Sequence, residues 1–299
     1  MKKLILHIGT HKTATTAIQN TLAAERDALL EQSVLYASTS RPPDLDLPKH
    51  ASLFASMVES DEAFEKEKNI ILEEFENSGC ETLILSEERL SFPMFEEFSK
   101  LKEFSEHFEI SVICYFRRPD MLLESLWNQH SKNGIEKRNI LQFSQNPFSI
   151  RCVEYGKILK FWADFAEVKP VCFETAKKDG VAATFAREAG ITLGQEAPAI
   201  NVSPSMNCAV ILSSLNRQEL DYNKPRLLSA FREDKGKYAL GSKRRAELLE
   251  YLKPDLEVLE QDFGLTFDLT MPEEREAPLL RPSPDALAKA FAYLCPKNA

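Results

Sequence analysis

The chain has 299 residues, 43% hydrophobic and 28% charged, with 10 glycines and a formal net charge of −9. That composition is globular and long enough for a sizeable core, which excludes disordered, collagen-like and repeat architectures. The acidic balance argues against an extended nucleic-acid-binding surface while leaving room for a small basic pocket.

The chain opens with a short apolar run at residues 4–8, bounded by Gly9, as expected of a buried strand. The run is too short for a signal peptide, and no stretch of about 18 apolar residues follows anywhere, so a cytoplasmic protein is expected. Ile18, Leu22 and Leu29 recur at helical spacing and predict a helix over residues 15–31. Residues 38–50 read as a loop. A helix carrying Phe64, Ile71, Leu72 and Phe75 on one face then precedes a second strand at 82–85. A helix over 94–107 leads to a third strand at 110–116, and helix resumes over 121–132. Residues 133–152 are polar and aperiodic, a loop on the substrate side. A helix marked by Tyr155, Leu159, Trp162 and Ala166 and a fourth strand at 168–173 follow. From about 180 to 265 the pattern is helical, broken by loops at 194–204 and 232–241, and the tail ends in a helical patch at 286–294.

Strands alternating with helices predict an α/β fold with three layers, α/β/α, around a mostly parallel central sheet. Ligands in such folds gather at the carboxyl ends of the strands. Three polar clusters fall at predicted strand ends: 9–16, 86–88 and 117–119. The six cysteines (Cys80, Cys114, Cys152, Cys172, Cys208 and Cys295) form no CxxC pair and no Cys/His cluster. Cys114 and Cys172, inside apolar runs, are expected to be buried free thiols, and neither a zinc site nor a disulfide framework is expected.

Gly9-Thr10-His11-Lys12-Thr13-Ala14-Thr15-Thr16 lies between the first strand and the first helix. A helix N-terminus offers unpaired amides and partial positive charge, Lys12 adds a full charge, and Thr15 and Thr16 add hydroxyls. The alternative is a helix whose threonines cap their own backbone. The loop is not GxxxxGK[ST], because Lys12 stands three residues after Gly9 and two residues separate it from Thr15. Neither later strand ends in an Asp able to hold Mg²⁺.

The stretch from Ile8 to Thr16 resembles the 5′-phosphosulfate loop, Lys-Thr-Gly-Thr-Thr, of the bacterial type of sulfotransferases that use 3′-phosphoadenosine-5′-phosphosulfate (PAPS). Ala14 stands where that family mostly has Gly, which fits if the backbone keeps φ negative. Tyr115-Phe116-Arg117-Arg118-Pro119, with Ser125 six residues after the proline, resembles the family's 3′-phosphate signature. Arg117 and Ser125 carry over to it, a guanidinium and a hydroxyl suited to one phosphate. Lys235-Gly236-Lys237 resembles the family's Lys-Gly-Arg-like loop that closes over the nucleotide; the alternative is a solvated turn. The cluster at 242–245 reads as solvated helix surface.

The resemblance implies the P-loop-NTP-hydrolase-like sulfotransferase fold as a single domain over 1–299. Its nucleotide-binding α/β core spans 1–180, and a mainly helical part with the covering loop spans 181–299. It implies PAPS as co-substrate, no metal, and in-line transfer of a sulfuryl group to a hydroxyl or amine of a carbohydrate, lipid or small molecule. In the nucleotide site stand Gly9, His11, Lys12, Thr13, Ala14, Thr15, Thr16, Arg117, Ser125, Lys235, Gly236 and Lys237, with Lys12 also catalytic. Glu87, delivered by the strand at 82–85, and His50 are competing bases for the acceptor's proton. A P-loop-type kinase and a non-catalytic nucleotide-binding protein are the rival readings. No nucleic-acid partner is expected; the acceptor and the oligomeric state are not legible.

Overall fold

The computed structural model describes residues 2–42, 48–194, 204–234 and 236–294. In chain order the elements are β1 (Lys3–His7), α1 (Thr15–Ala24), α2 (Arg26–Leu30), β2 (Val34–Tyr36), α3 (Ala51–Glu59), α4 (Asp61–Ser78) and β3 (Thr82–Ser86). Next come α5 (Phe95–Phe98), β4 (Glu109–Phe116), α6 (Pro119–Lys132), α7 (Ile140–Ser144), α8 (Pro147–Arg151), α9 (Tyr155–Ala163) and β5 (Glu167–Cys172). The last are α10 (Phe173–Asp179), α11 (Val181–Ala189), α12 (Met206–Arg217), α13 (Lys224–Ala230), α14 (Ser242–Phe263) and α15 (Pro284–Leu294). Residues 88–91 and 99–106 wind as tighter 3₁₀ turns.

The residues fall into two compact units. The first comprises Met1–Arg118, Glu154–Ile200 and Asp255–Phe267; the second comprises Pro119–Val153, Asn201–Pro254 and Asp268–Ala299.

The first unit is built on a five-stranded sheet in the order β2-β3-β1-β4-β5, every pair parallel. Its central strands are near-continuous apolar runs, as strands covered on both faces must be. On one face Ile5, Ile84, Ile113 and Tyr115 pack against Ala17, Ile18 and Leu22 of α1 and Val181 and Phe185 of α11. On the other, Leu4, Leu6, Leu83, Leu85, Val112 and Cys114 are buried as well. Helix α4 has ordinary punctuation: the Ser60 hydroxyl accepts the Ala63 amide at its start, and Gly79 ends it at φ 67°.

In the second unit Cys208, Ile211 and Leu212 of α12 pack with Leu227, Ala230, Ala286 and Ala290. Here the reading of 242–245 as solvated surface is corrected at Arg245, which is 0% exposed. Its Nη1 donates to Asp120 at 2.5 Å, its Nη2 to Glu124 at 2.9 Å and its Nε to Glu274 at 2.6 Å. The second oxygen of the Glu124 carboxylate accepts the amides of Ala239 and Leu240, each at 2.6 Å. A guanidinium surrounded by three carboxylates can be dry because all its donor faces are met.

Candidate anion-binding site

The ends of β3, β1 and β4 lie side by side at the carboxyl edge of the sheet. Pairing continues past β1, with the Ile8 amide donating to the Ile113 carbonyl at 3.1 Å and the Thr10 amide to the Tyr115 carbonyl at 2.9 Å. The Thr10 hydroxyl reaches the same Tyr115 carbonyl at 3.0 Å. The loop that carries Lys12 thus starts beside Tyr115, two residues ahead of Arg117. On the other flank the Glu87 amide donates to the His7 carbonyl at 3.1 Å.

The loop has no room for a side chain at its first turn. A Cβ on Gly9 would stand 2.8 Å from Thr15 Cγ2 and 3.1 Å from both Thr13 Oγ1 and His7 Nε2. Thr13, fully buried, donates its hydroxyl to the Thr10 carbonyl at 2.5 Å. Lys12 and Ala14 both take left-handed backbone angles, at φ 67° and φ 60°. The expectation of a negative φ at Ala14 is therefore corrected: alanine occupies the glycine-type conformation itself. Left-handed residues in a turn make concavities of backbone amides that favour anions. Ala14 is also the N-cap of α1, and no side chain caps that end. The Ala17 amide turns back to the Ala14 carbonyl at 2.9 Å, and the amides of Thr15 and Thr16 keep their capacity for an anion. The His11 ring lies 5.0 Å from the Phe92 ring.

Arg117 leaves β4 with its backbone fixed, because the Tyr155 hydroxyl donates to its carbonyl at 2.8 Å. Its guanidinium lies 3.9 Å from the Glu174 carboxylate and 6.0 Å from the centre of the Phe173 ring. Ser125 belongs to the second unit, buried on α6. In that unit Gly236 donates its amide to Asp234 at 2.9 Å and Lys237 is exposed; Lys235 lies outside the described residues.

The two candidate bases differ in what holds them. His50 Nδ1 accepts the Ser86 amide at 2.8 Å, and Nε2 stands 3.1 Å from the Ala37 carbonyl, to which it donates. Burial, reinforced by Arg41, lowers its pKa to about 4, so the ring is neutral and both nitrogens are committed. Glu87, 1% exposed, accepts the Arg89 amide at 3.1 Å and the Arg89 Nε at 2.8 Å on Oε1, with Lys49 Nζ at 3.8 Å from the same oxygen. Its Oε2 meets Arg89 Nη2 at 3.3 Å.

Several neighbours escaped sequence reasoning. Lys49 pairs with Glu88 at 2.5 Å; burial opposes the Glu88 charge, but Lys49 and His11 outweigh it and hold the carboxyl at about 2. Glu74 pins the loop after β2 by accepting the amides and hydroxyls of both Ser38 and Thr39. Lys49, Glu88 and Arg89 flank the singled-out His50 and Glu87, and that adjacency was the available signal. Among the described residues no cluster of three or more His, Cys, Asp or Glu side chains is arranged to hold a metal, and no helix is long and apolar enough to cross a membrane.

The fold is shared with a crystal structure of a sulfotransferase from Alicyclobacillus acidocaldarius. The likeness has a TM-score of 0.51 and 14% identity, over 89% of this chain and 98% of that chain. A structure from the PezAT toxin–antitoxin system of Streptococcus pneumoniae overlaps at TM-score 0.31 and 12% identity, over 87% of this chain and 88% of that chain, too low to bear on the fold. No protein-family model and no curated protein matches the sequence. The chain therefore has the α/β fold of a sulfotransferase, with an all-parallel central sheet.

Proposed function

We propose that the protein moves a sulfuryl group from PAPS to a hydroxyl or amine acceptor, in line and with no covalent enzyme intermediate. The observation that carries this reading is the uncapped start of α1, with the left-handed Lys12 and Ala14 beside it, after the strand next to the one that Arg117 follows. The sulfotransferase fold supports it.

In this reading Lys12 and the first-turn amides, with Thr15 and Thr16, hold the 5′-phosphate, and Lys12 neutralises the charge that appears on it as its bond to sulfur breaks. Arg117 takes the 3′-phosphate; the share of Ser125, and of Gly236 and Lys237 in covering the nucleotide, rests on the sequence signatures. His11, beside Phe92, belongs to the nucleotide-facing loop. We assign the acceptor's proton to Glu87 in preference to His50. The acceptor oxygen or nitrogen attacks sulfur as its proton passes to the carboxylate, whereas His50 has no uncommitted ring nitrogen. The chemistry asks for cations and amides and for no metal, and the acceptor is a small molecule or a glycan.

Sulfate transfer from labelled PAPS tests the reading. Lys12→Ala is expected to lower turnover about 10²–10³-fold, and activity within about threefold of the parent removes Lys12 from the chemistry. In calorimetry with 3′,5′-diphosphoadenosine, Arg117→Ala is expected to weaken affinity by at least about tenfold. Unchanged affinity rejects the 3′-phosphate assignment.

A further inference from the structure

We propose that Glu124 is a positioning residue: its buried carboxylate holds residues 236–240 in place before any nucleotide arrives, so that Lys237 stands on a preformed strap rather than on a loop that closes. The proposal rests on the reading above, in which Lys237 covers the nucleotide, and adds a residue that the sequence signatures do not contain. All the groups involved belong to the second unit. Glu124 precedes Ser125 on α6 and is 2% exposed. One of its oxygens accepts the amides of Ala239 and Leu240, residues that are themselves buried, and the other accepts Nη2 of Arg245 on α14. A single carboxylate thus grips the chain on both sides of Gly241, where the backbone runs so close to residue 277 that a Cβ would stand 2.6 Å from its carbonyl carbon. The Leu279 amide adds a bond to the Ala239 carbonyl at 2.7 Å.

The other end of the strap is fixed separately. The Gly236 carbonyl accepts the Met206 amide at 2.9 Å, at the start of α12. Asp234, which takes the Gly236 amide, is itself held by Asn207 Nδ2 at 3.2 Å. Between the two anchors stand Lys237, exposed, and Tyr238, whose ring centre lies 5.5 Å from the Arg245 guanidinium. Well-packed apolar residues often replace a buried ion cluster without loss of stability, but they offer the amides of Ala239 and Leu240 no acceptor. A segment ordered in advance loses less freedom on binding, which raises affinity without any new contact. A carboxylate spent on those two amides, one residue before Ser125, therefore points to placement of the strap.

Hydrogen exchange on the full chain tests the strap without altering it. The amides of Ala239 and Leu240 are expected to exchange at least about 100-fold more slowly than that of Lys237, with or without 3′,5′-diphosphoadenosine. Exchange that is fast in the free protein and slows only when the nucleotide is added makes the segment a lid and overturns the proposal. Two variants then ask what the carboxylate does. Glu124→Leu leaves both amides without an acceptor, whereas the side-chain carbonyl of Glu124→Gln still takes them; in both, Arg245 keeps Asp120 and Glu274. In calorimetry with 3′,5′-diphosphoadenosine, Glu124→Leu is expected to bind about tenfold more weakly and Glu124→Gln within about threefold of the parent. In a Lys237→Ala background, Glu124→Leu is expected to weaken binding by less than about threefold further, because the two residues act through one contact. Equal losses for Leu and Gln, losses that add in the double variant, or parent-like binding by Glu124→Leu overturns the proposal; additive losses are what a merely structural carboxylate gives. If Glu124→Leu does not fold, exchange and Glu124→Gln decide by the same criteria. Slow exchange in a parent protein that does not bind the nucleotide leaves the strap standing and overturns the sulfuryl-transfer reading together with the role of Lys237.

Discussion

Ala14 holds a backbone conformation that its own Cβ resists. A left-handed non-glycine residue is strained by about 1 kcal/mol, and φ at this position is 60°. Such strain persists where the surroundings over-determine it, and here the flanking Thr13 and Thr15 are both buried. Ala14→Gly is therefore expected to stabilise the protein by up to about 0.5 kcal/mol, much of the relief being offset by glycine's greater freedom when unfolded. Urea unfolding measures it, and a midpoint that falls rules out strain at this residue. The residue types of the loop were legible in the sequence, but the sign of φ was not, because alanine advertises neither conformation. The pinning of His50 was equally hidden: its partners are the amide of Ser86 and the carbonyl of Ala37, backbone groups 36 and 13 residues away.

At the level of elements, β1, β3 and β4 were readable to within about a residue because strands covered on both faces appear as near-continuous apolar runs, and the edge strand β5, which carries Lys169 and Pro170, was placed as closely by Val168, Val171 and Cys172. The edge strand β2 was missed, since three residues, Val34–Tyr36, are too few to show a period. Residues 133–152 were read as loop yet contain α7 and α8, five residues each. Helices that short carry no amphipathic stripe, although the capping Asn139 and Asn146 and the first-turn Pro147 were visible signals. Helix α14 misled in the other direction: Arg245 looked like one charge in a basic surface cluster, and nothing local shows carboxylates 29, 121 and 125 residues away closing around it. Arg245→Met strips three buried carboxylates of their countercharge and is expected to cost about 3–5 kcal/mol. A loss below about 1 kcal/mol in urea unfolding would mean that the cluster relaxes or takes up protons instead.

Across the whole molecule, the response to acid follows from where the buried imidazoles lie. His7 and His50 belong to the first unit, and burial lowers each from 6.5 to about 4. Below pH 6.5 the unfolded chain takes up two protons that the folded unit refuses. Their stabilisation is thus complete above that pH, drains as pH falls, and is exhausted near pH 4. Between pH 7 and pH 5 the expected loss is about 4 kcal/mol, readable as a falling urea midpoint. A flat profile over this interval would mean that one or both rings charge without unfolding. The chain crosses between its two units after residues 118, 153, 200, 254 and 267. Asp255, which receives the amides of Gly156 and Lys157, arrives about a hundred residues after them. On the ribosome, the first unit must therefore wait, missing its last stretch, until residues 255–267 have emerged. A nascent chain stalled before Asp255 exposes the start of α9 to chaperones and proteases, and no gene fragment that stops short of residue 267 encodes the sheet with all of its supports.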